Sequence, residues 1–208
     1  LHDALPISLD LQQSLKNVEV ANDGAGTLYI RDGQGGISMT RDMGAVVSKE
    51  SYLWFFNKDV THSVTDQGLL AGRDLTAYAA SLKGDADANL LKAGDGGKWL
   101  FGLDGNDHLI GGKGNDVLVG GAGNDLLAAG GGRNTFLFDG DFGQDRIVGY
   151  QSSDKLVFMG VEGVNGQYNY LDHAKAVGSD TLLTFGDNSV TLVGVGLGSL
   201  SADGIVIT

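Results

Sequence analysis

The chain has 208 residues, a formal net charge of −12, 35 Gly, a single Pro and no Cys. That length fits one large or two small domains, and so much Gly with so little Pro fits a turn-dense all-β protein. The charge argues against nucleic acid and anionic membrane surfaces as partners, the missing Cys excludes a disulfide framework and thiolate metal sites, and no stretch approaches the ~18 apolar residues of a membrane span or reads as a cleavable signal peptide.

Residues 1–8, Leu-His-Asp-Ala-Leu-Pro-Ile-Ser, blend poorly with the rest of the chain and read as a foreign tail, and a start at Leu in place of Met suggests a fragment. Segment 9–72 is β-rich, with short strands expected at Thr27–Arg31, Gly36–Thr40, Tyr52–Asn57 and Val60–Thr65 between Gly/Asp turns. Tyr52-Leu-Trp-Phe-Phe56 is the most aromatic run of the chain. A buried strand is the commoner fate of such a run, and a lipid- or substrate-contacting patch the rarer one.

Segment 73–138 carries a nine-residue period of the form Gly-Gly-x-Gly-x-Asp-x-Leu-x. Its clearest copies are Gly102-Leu-Asp-Gly-Asn-Asp-His-Leu-Ile110, Gly111-Gly-Lys-Gly-Asn-Asp-Val-Leu-Val119 and Gly120-Gly-Ala-Gly-Asn-Asp-Leu-Leu-Ala128, with imperfect copies at 84–92, 93–101 and 129–137. The eighth position is always large and apolar: Leu91, Leu100, Leu109, Leu118, Leu127, Phe136, with Leu82 in phase before them. A disordered Gly/Asp-rich linker has no reason to keep such a column, whereas a parallel β-roll requires it. Each copy supplies a Gly-rich turn and a strand of three residues, whose middle side chain faces the interior while its neighbours face out. One such strand buries nothing alone, so the repeats must stack, two to a coil.

Turns on one edge of the roll are therefore 18 residues apart, which puts Asn89, Asp107 and Asp125 on one edge and Lys98, Asp116 and Asn134 on the other. Stacked carboxylates about 5 Å apart repel, and Ca2+ between them converts repulsion into coordination by hard oxygen ligands. Asp107 with Asp125 is the best candidate pair, Asp116 with Asn134 the next, and Asn89 with Asp107 a third through the amide oxygen. Lys98 opposite Asp116 puts a cation where a ligand is needed, so that position is expected vacant or weak. Residues 84–145 hold ten Asp against four Lys or Arg, as cation binding requires.

The outward positions of the sheet built from the 93, 111 and 129 copies are Trp99, Phe101, Val117, Val119, Thr135 and Leu137, none of them charged, so that face is expected to be covered. The other sheet presents Leu90, Lys92, His108, Ile110, Leu126 and Ala128. Segment 139–208 reads as strands at Asp145–Gly149, Lys155–Phe158, Thr181–Phe185, Ser189–Val193 and Gly204–Thr208, after Thr135–Phe138, and is expected to be an antiparallel cap on the open end of the stack. The expected fold is thus all-β, a parallel β-roll flanked by antiparallel, sandwich-like segments.

From about Thr61 onward, Val60-Thr-His-Ser-Val-Thr-Asp-Gln-Gly68, the repeat block, Phe142-Gly-Gln-Asp-Arg-Ile-Val-Gly149, Asp154-Lys-Leu-Val-Phe158 and Ser189-Val-Thr-Leu-Val-Gly-Val-Gly196 give the chain the look of the C-terminal part of the bacterial family I.3 lipases, some of which are called polyurethanases. The resemblance implies an upstream α/β-hydrolase-like catalytic domain, calcium β-rolls, and an uncleaved C-terminal signal for a type I (ABC transporter) secretion system, hence an extracellular protein. It also implies carbonyl ligands. Leu103, Gly105 and Asp107 would face Gly120, Ala122 and Asp125; Gly112, Gly114 and Asp116 would face Ala129, Gly131 and Asn134; Gly102, Asp104 and Asp107 would face Asn89.

The chain departs from that family in its catalytic motif. No Gly-x-Ser-x-Gly elbow occurs, Gly36-Ile-Ser-Met-Thr40 coming nearest, and His-Glu-x-x-His is absent as well. His2, His62, His108 and His173 belong to no catalytic constellation that the sequence defines. The expected function is that of a noncatalytic calcium-binding module, which folds on secretion and assists export and stability of a lipase whose catalytic domain lies outside this chain, without stable membrane insertion. A carbohydrate- or surface-binding module is the alternative, with Lys92, Lys98, Lys113 and Arg133 as its cations, and an intact enzyme is the third reading.

Overall fold

Side chains that alternate along short strands, with a turn every nine residues, set the architecture of the larger part of this protein. The computed structural model describes residues 19–23, 28–31, 37–40, 80–161 and 170–207, and the chain divides into two compact units, Leu1–Ala79 and Ala80–Thr208. Among the described residues the regular structure is strands and three-residue 3₁₀ turns.

In the first unit, β1 (Glu19–Asn22), β2 (Leu28–Arg31) and β3 (Ile37–Thr40) form an antiparallel sheet in that order. Ala21 opposes Tyr29 across the first pair and both are buried. β2 and β3 fall within a residue of the strands expected at 27–31 and 36–40; those expected at Tyr52–Asn57 and Val60–Thr65 lie outside the described residues.

The second unit is the roll. Strands β4 (Ser81–Lys83), β6 (Trp99–Asp104), β8 (Val117–Ala122), β10 (Thr135–Asp139), β12 (Lys155–Met159) and β16 (Ile205–Ile207) pair in parallel as one sheet. Strands β5 (Leu90–Lys92), β7 (His108–Ile110), β9 (Leu126–Ala128), β11 (Gln144–Val148) and β15 (Asn188–Leu192) pair in parallel in the other, which β14 (Asp180–Phe185) and β13 (Ala174–Val177) extend antiparallel at its end. Leu100, Leu109, Leu118, Leu127 and Phe136 are completely buried between the two sheets. Burial of each is worth roughly 1.5–3 kcal/mol. Leu82 and Leu91, on the terminal strands β4 and β5 of the two sheets, are half-buried.

The expectation of an antiparallel cap over 139–208 needs correction. Parallel stacking continues through β11, β12, β15 and β16, and among the described residues of this segment antiparallel pairing is confined to β13, β14 and β15. The physical reason is a change of coil length. Leu109 pairs with Leu127, 18 residues on, but Leu127 pairs with Ile147 and Phe136 with Leu156, each 20 residues on. The wider coil takes Phe138 and Phe142 into the interior, where Phe138 lies 5.0 Å from both Phe142 and Phe158, and Phe158 lies 4.4 Å from Phe185. An aromatic cluster thus replaces the Leu column at the C-terminal end of the core.

The two outward faces differ. Trp99, Phe101, Val117, Val119, Thr135 and Leu137 are all buried, as their lack of charge implies. On the opposite sheet Leu90 is 68% exposed, Lys92 is exposed, and His108, Ile110, Leu126 and Ala128 are half-buried. No helix among the described residues is long and apolar enough to cross a membrane.

Candidate metal centre

The turns stack as the repeat dictates. On the first edge, the N–H of Asn89 donates to Asp107 Oδ1, that of Asp107 to Asp125 Oδ1 and that of Asp125 to Asp145 Oδ1, each at 2.7 Å. Each Asp therefore spends one carboxylate oxygen as a rung to the preceding coil. The other does nothing of the kind: Oδ2 of Asp107, of Asp125 and of Asp145 is buried with no protein donor. A buried carboxylate oxygen left without a donor costs several kcal/mol or demands a cation.

Gly at the first turn position is what lets the carboxylate fold back. A Cβ on Gly102 would land on both Asp107 Oδ2 and the Gly120 carbonyl, and one on Gly84 on both Asn89 Oδ1 and the Gly102 carbonyl. One on Gly111 would likewise meet the Ala129 carbonyl, with Asp116 Oδ2 beside it. At each of these points the side-chain oxygen of one coil and the first carbonyl of the next converge on the same small space, so the structure brings together Asn89 with Gly102, Asp107 with Gly120 and Asp116 with Ala129. Other expected ligand carbonyls are engaged in the backbone: Ala122 O accepts the N–H of Gly105 at 2.9 Å and Gly112 O that of Gly131 at 2.7 Å. The Leu103 and Gly105 carbonyls face Gly121 and Gly123 of the next coil, and the Gly114 carbonyl faces Gly132. Asp104, paired with Ala122, is exposed.

The second edge runs Lys98, Asp116, Asn134, Asp154. The N–H of Lys98 donates to Asp116 Oδ1 at 2.8 Å, that of Asp116 to Asn134 Oδ1 at 3.0 Å and that of Asn134 to Asp154 Oδ1 at 2.7 Å. Here the remaining atoms are also used. Asp116 Oδ2 accepts from Gly112 N–H at 2.8 Å, Asn134 Nδ2 donates to Gly131 O at 3.2 Å, and Asp154 Oδ2 accepts from Gln151 N–H at 2.9 Å.

Asp145 and Asp154 are ladder members that the nine-residue period does not announce. The signal that finds them is shorter, an Asp two residues before an interior apolar residue: Asp145-Arg-Ile147 and Asp154-Lys-Leu156 repeat Asp107-His-Leu109 and Asp116-Val-Leu118.

Burial without a cation raises the affinity of these carboxylates for protons. Burial, with smaller contributions from neighbouring carboxylates, pushes Asp107 up, takes Asp125 to about 6 and takes Asp145 to about 8. Asp154 is raised by burial as well. Among the described residues no group of three or more His, Cys, Asp or Glu side chains converges. A cation on this edge would accordingly be held by two carboxylates and by carbonyl oxygens, a hard, all-oxygen set that suits Ca2+ and not a thiolate- or imidazole-seeking metal.

Comparison with known proteins agrees with this chemistry. Residues 101–136 match the model of the RTX calcium-binding nonapeptide repeat, in four copies. A lipase of Pseudomonas fluorescens is 60% identical over 73 residues, 35% of this chain and 15% of the lipase. The extracellular lipase LipA of Serratia marcescens matches in structure with a TM-score of 0.72 and 42% identity, over 95% of this chain and 32% of LipA. The AlgE6R3 subunit of the Azotobacter vinelandii mannuronan C5-epimerase gives a TM-score of 0.46 and 30% identity, over 59% of this chain and 80% of that subunit. The chain thus spans under a third of the first and about a third of the second lipase it matches. Residues 101–136 are calcium-binding nonapeptide repeats of the RTX type, set in a β-roll similar to part of an extracellular bacterial lipase.

Proposed function

We propose that this chain is a noncatalytic module that folds on calcium and supports the export and stability of a secreted lipase whose catalytic domain lies outside it. The observation that carries the reading is the row of buried, unpartnered Oδ2 atoms on Asp107, Asp125 and Asp145, beside carbonyls such as that of Gly120. Without a cation the first edge sets like charges in a stack. With Ca2+ the same oxygens become ligands and the coils close on the Leu column.

In a cytosol poor in free calcium the acidic turns repel and the chain stays open enough to thread a type I (ABC transporter) channel. Outside, sites with affinities of about 10⁻⁴ to 10⁻³ M fill and the stack forms. The absence of Cys fits a protein whose stability comes from metal in place of disulfides. The acidic-then-apolar stretch Ser201-Ala-Asp-Gly-Ile-Val-Ile-Thr208 is the candidate secretion signal. The likeness to the lipases and the lack of a Gly-x-Ser-x-Gly elbow support a noncatalytic role in a lipase.

Limited proteolysis of the purified chain in calcium and in chelator, with a short-chain ester hydrolysis assay beside it, tests the reading. A protected fragment beginning near Ala80 in calcium only, and no hydrolysis, is the expected result. Protection indifferent to calcium contradicts the folding role, and hydrolysis by the purified chain contradicts the noncatalytic one.

A further inference from the structure

The two edges of the roll share a ladder of rungs but close their turns differently. On the first edge, the six-residue strands β6 and β8 carry the backbone extended through Gly102–Asp104 and Gly120–Ala122. Leu103 pairs there with Gly121, Asp104 pairs with Ala122, and Gly105 N–H donates to Ala122 O. At these two turns Oδ2 of Asp107 and of Asp125 remains buried without a donor, whereas the first turn of the same edge closes on itself, with Asp85 N–H reaching Asn89 Oδ1 at 2.7 Å.

On the second edge, β7 and β9 stop after three residues and the turn bends inward. Gly112 N–H reaches Asp116 Oδ2, the Asn134 amide reaches the Gly131 carbonyl, and Gln151 N–H reaches Asp154 Oδ2. Asp116, Asn134 and Asp154 are each at most 1% exposed, yet none of their side-chain atoms lacks a partner. A turn that supplies its own donors has no oxygen left in need of a cation.

The first-edge pattern also runs beyond residues 101–136. Asp145 takes the Asp125 N–H on Oδ1, and its Oδ2 is buried without a donor like those before it. A Cβ on Gly143, at φ +82°, would land on the Gly123 carbonyl, the same close stacking that Gly123 makes on Gly105. The longer coil therefore rebuilds the same kind of turn one level further on.

We propose that calcium is taken up along the first edge alone, that uptake extends past the nonapeptide block to the Asp125–Asp145 level, and that the Lys98–Asp116–Asn134–Asp154 edge is a seam closed without metal. The proposal rests on the calcium-folding role of the chain and narrows it to one edge.

Equilibrium dialysis counts the ions bound by the full chain and by Asp145→Asn, Asp116→Asn and Asn134→Asp, each first checked for a folded circular dichroism spectrum in saturating calcium. Asp145→Asn is expected to bind fewer ions than the parent and to need several-fold more calcium to fold. Asp116→Asn keeps the parental number. Asn134→Asp, which removes the donor to Gly131 and sets a second carboxylate beside Asp116, gains an ion. Loss of an ion from Asp116→Asn, or a parental count for Asp145→Asn or Asn134→Asp, overturns the proposal. If Asp145→Asn does not fold even in saturating calcium, the other two variants decide it. A parent chain that binds no calcium refutes the calcium-folding role itself.

Discussion

Asp125 Oδ1 accepts the backbone N–H of Asp107 at 2.7 Å, while Oδ2 of the same carboxylate is buried without a protein donor. One side chain thus holds two coils together and, in the absence of a cation, places an uncompensated oxygen between them. Asn in its place keeps the rung acceptor and removes the charge. In chelator, Asp125→Asn should shift the balance toward the folded roll by about 1–3 kcal/mol relative to the open parent, the cost of a buried unsatisfied polar group. In saturating calcium it should be less stable. Circular dichroism in chelator, where the variant should keep more β signal than the parent, and thermal melts in saturating calcium, where it should melt lower, show this crossing of sign, and a variant with less β signal than the parent in chelator would contradict it.

The same carboxylates set a pH dependence. Burial raises Asp125 to about 6 and Asp145 to about 8, against an ordinary value of 3.8 in the unfolded chain. The folded, calcium-free state therefore binds more protons than the unfolded one. Its stabilisation is full below the unfolded value and is lost as pH rises through about 6 and then about 8. In chelator the chain, open at pH 8.5, should gain β signal by circular dichroism at pH 5. In calcium the acid side should weaken it, because protons compete with the metal for the same oxygens. A β signal that rises with pH in chelator would contradict the assignment.

Leu103 holds φ +80° at a turn position where the next coil has Gly121 at φ +102°. An L side chain in that region costs roughly 1–2 kcal/mol, partly offset in the variant by the larger backbone freedom of unfolded Gly. Leu103→Gly should stabilise the roll by about 1 kcal/mol and lower its calcium midpoint. Gly121→Ala should do the reverse more strongly, since its Cβ would land on the Leu103 carbonyl. Urea midpoints at fixed calcium measure both.

Phe158 stacks on Phe138 and packs on Phe185 in the wide final coil. Truncation to Ala should cost about 3–5 kcal/mol, as for other buried aromatic side chains. That loss should persist in saturating calcium, because it removes packing and not ligands. Full rescue of Phe158→Ala by added calcium would show that metal, and not the aromatic cluster, holds the C-terminal end.

The coils are legible in the sequence because one interaction recurs at fixed spacing. Leu100, Leu109, Leu118 and Leu127 announce the interior, and the alternation around them announces the two outward faces, down to the burial of Trp99 and Phe101. The strands expected at 145–149, 155–158, 181–185 and 189–193 coincide with β11, β12, β14 and β15 to within a residue. Their pairing is not legible, because the coil lengthens by two residues between Leu127 and Ile147 and the period is lost just where the stacking continues. Asp145 escapes the nine-residue pattern for the same reason. The inequality of the edges is legible only in part: Lys98 and Asn134 mark the second edge as the weaker one, but Asp116 and Asp125 share the sequence context Gly-Asn-Asp, and nothing in it announces that the Gly112 N–H closes on Asp116 Oδ2.

The most direct measurement is a calcium titration of the purified chain followed by far-UV circular dichroism, with Asp107→Ala/Asp125→Ala alongside. A cooperative gain of β signal near about 10⁻³ M calcium, reversed by chelator and lost in the double variant, is the result predicted for a roll held by metal on its first edge. A spectrum indifferent to calcium, chelator and the double substitution would mean that the Leu column holds the coils alone, and would contradict the account.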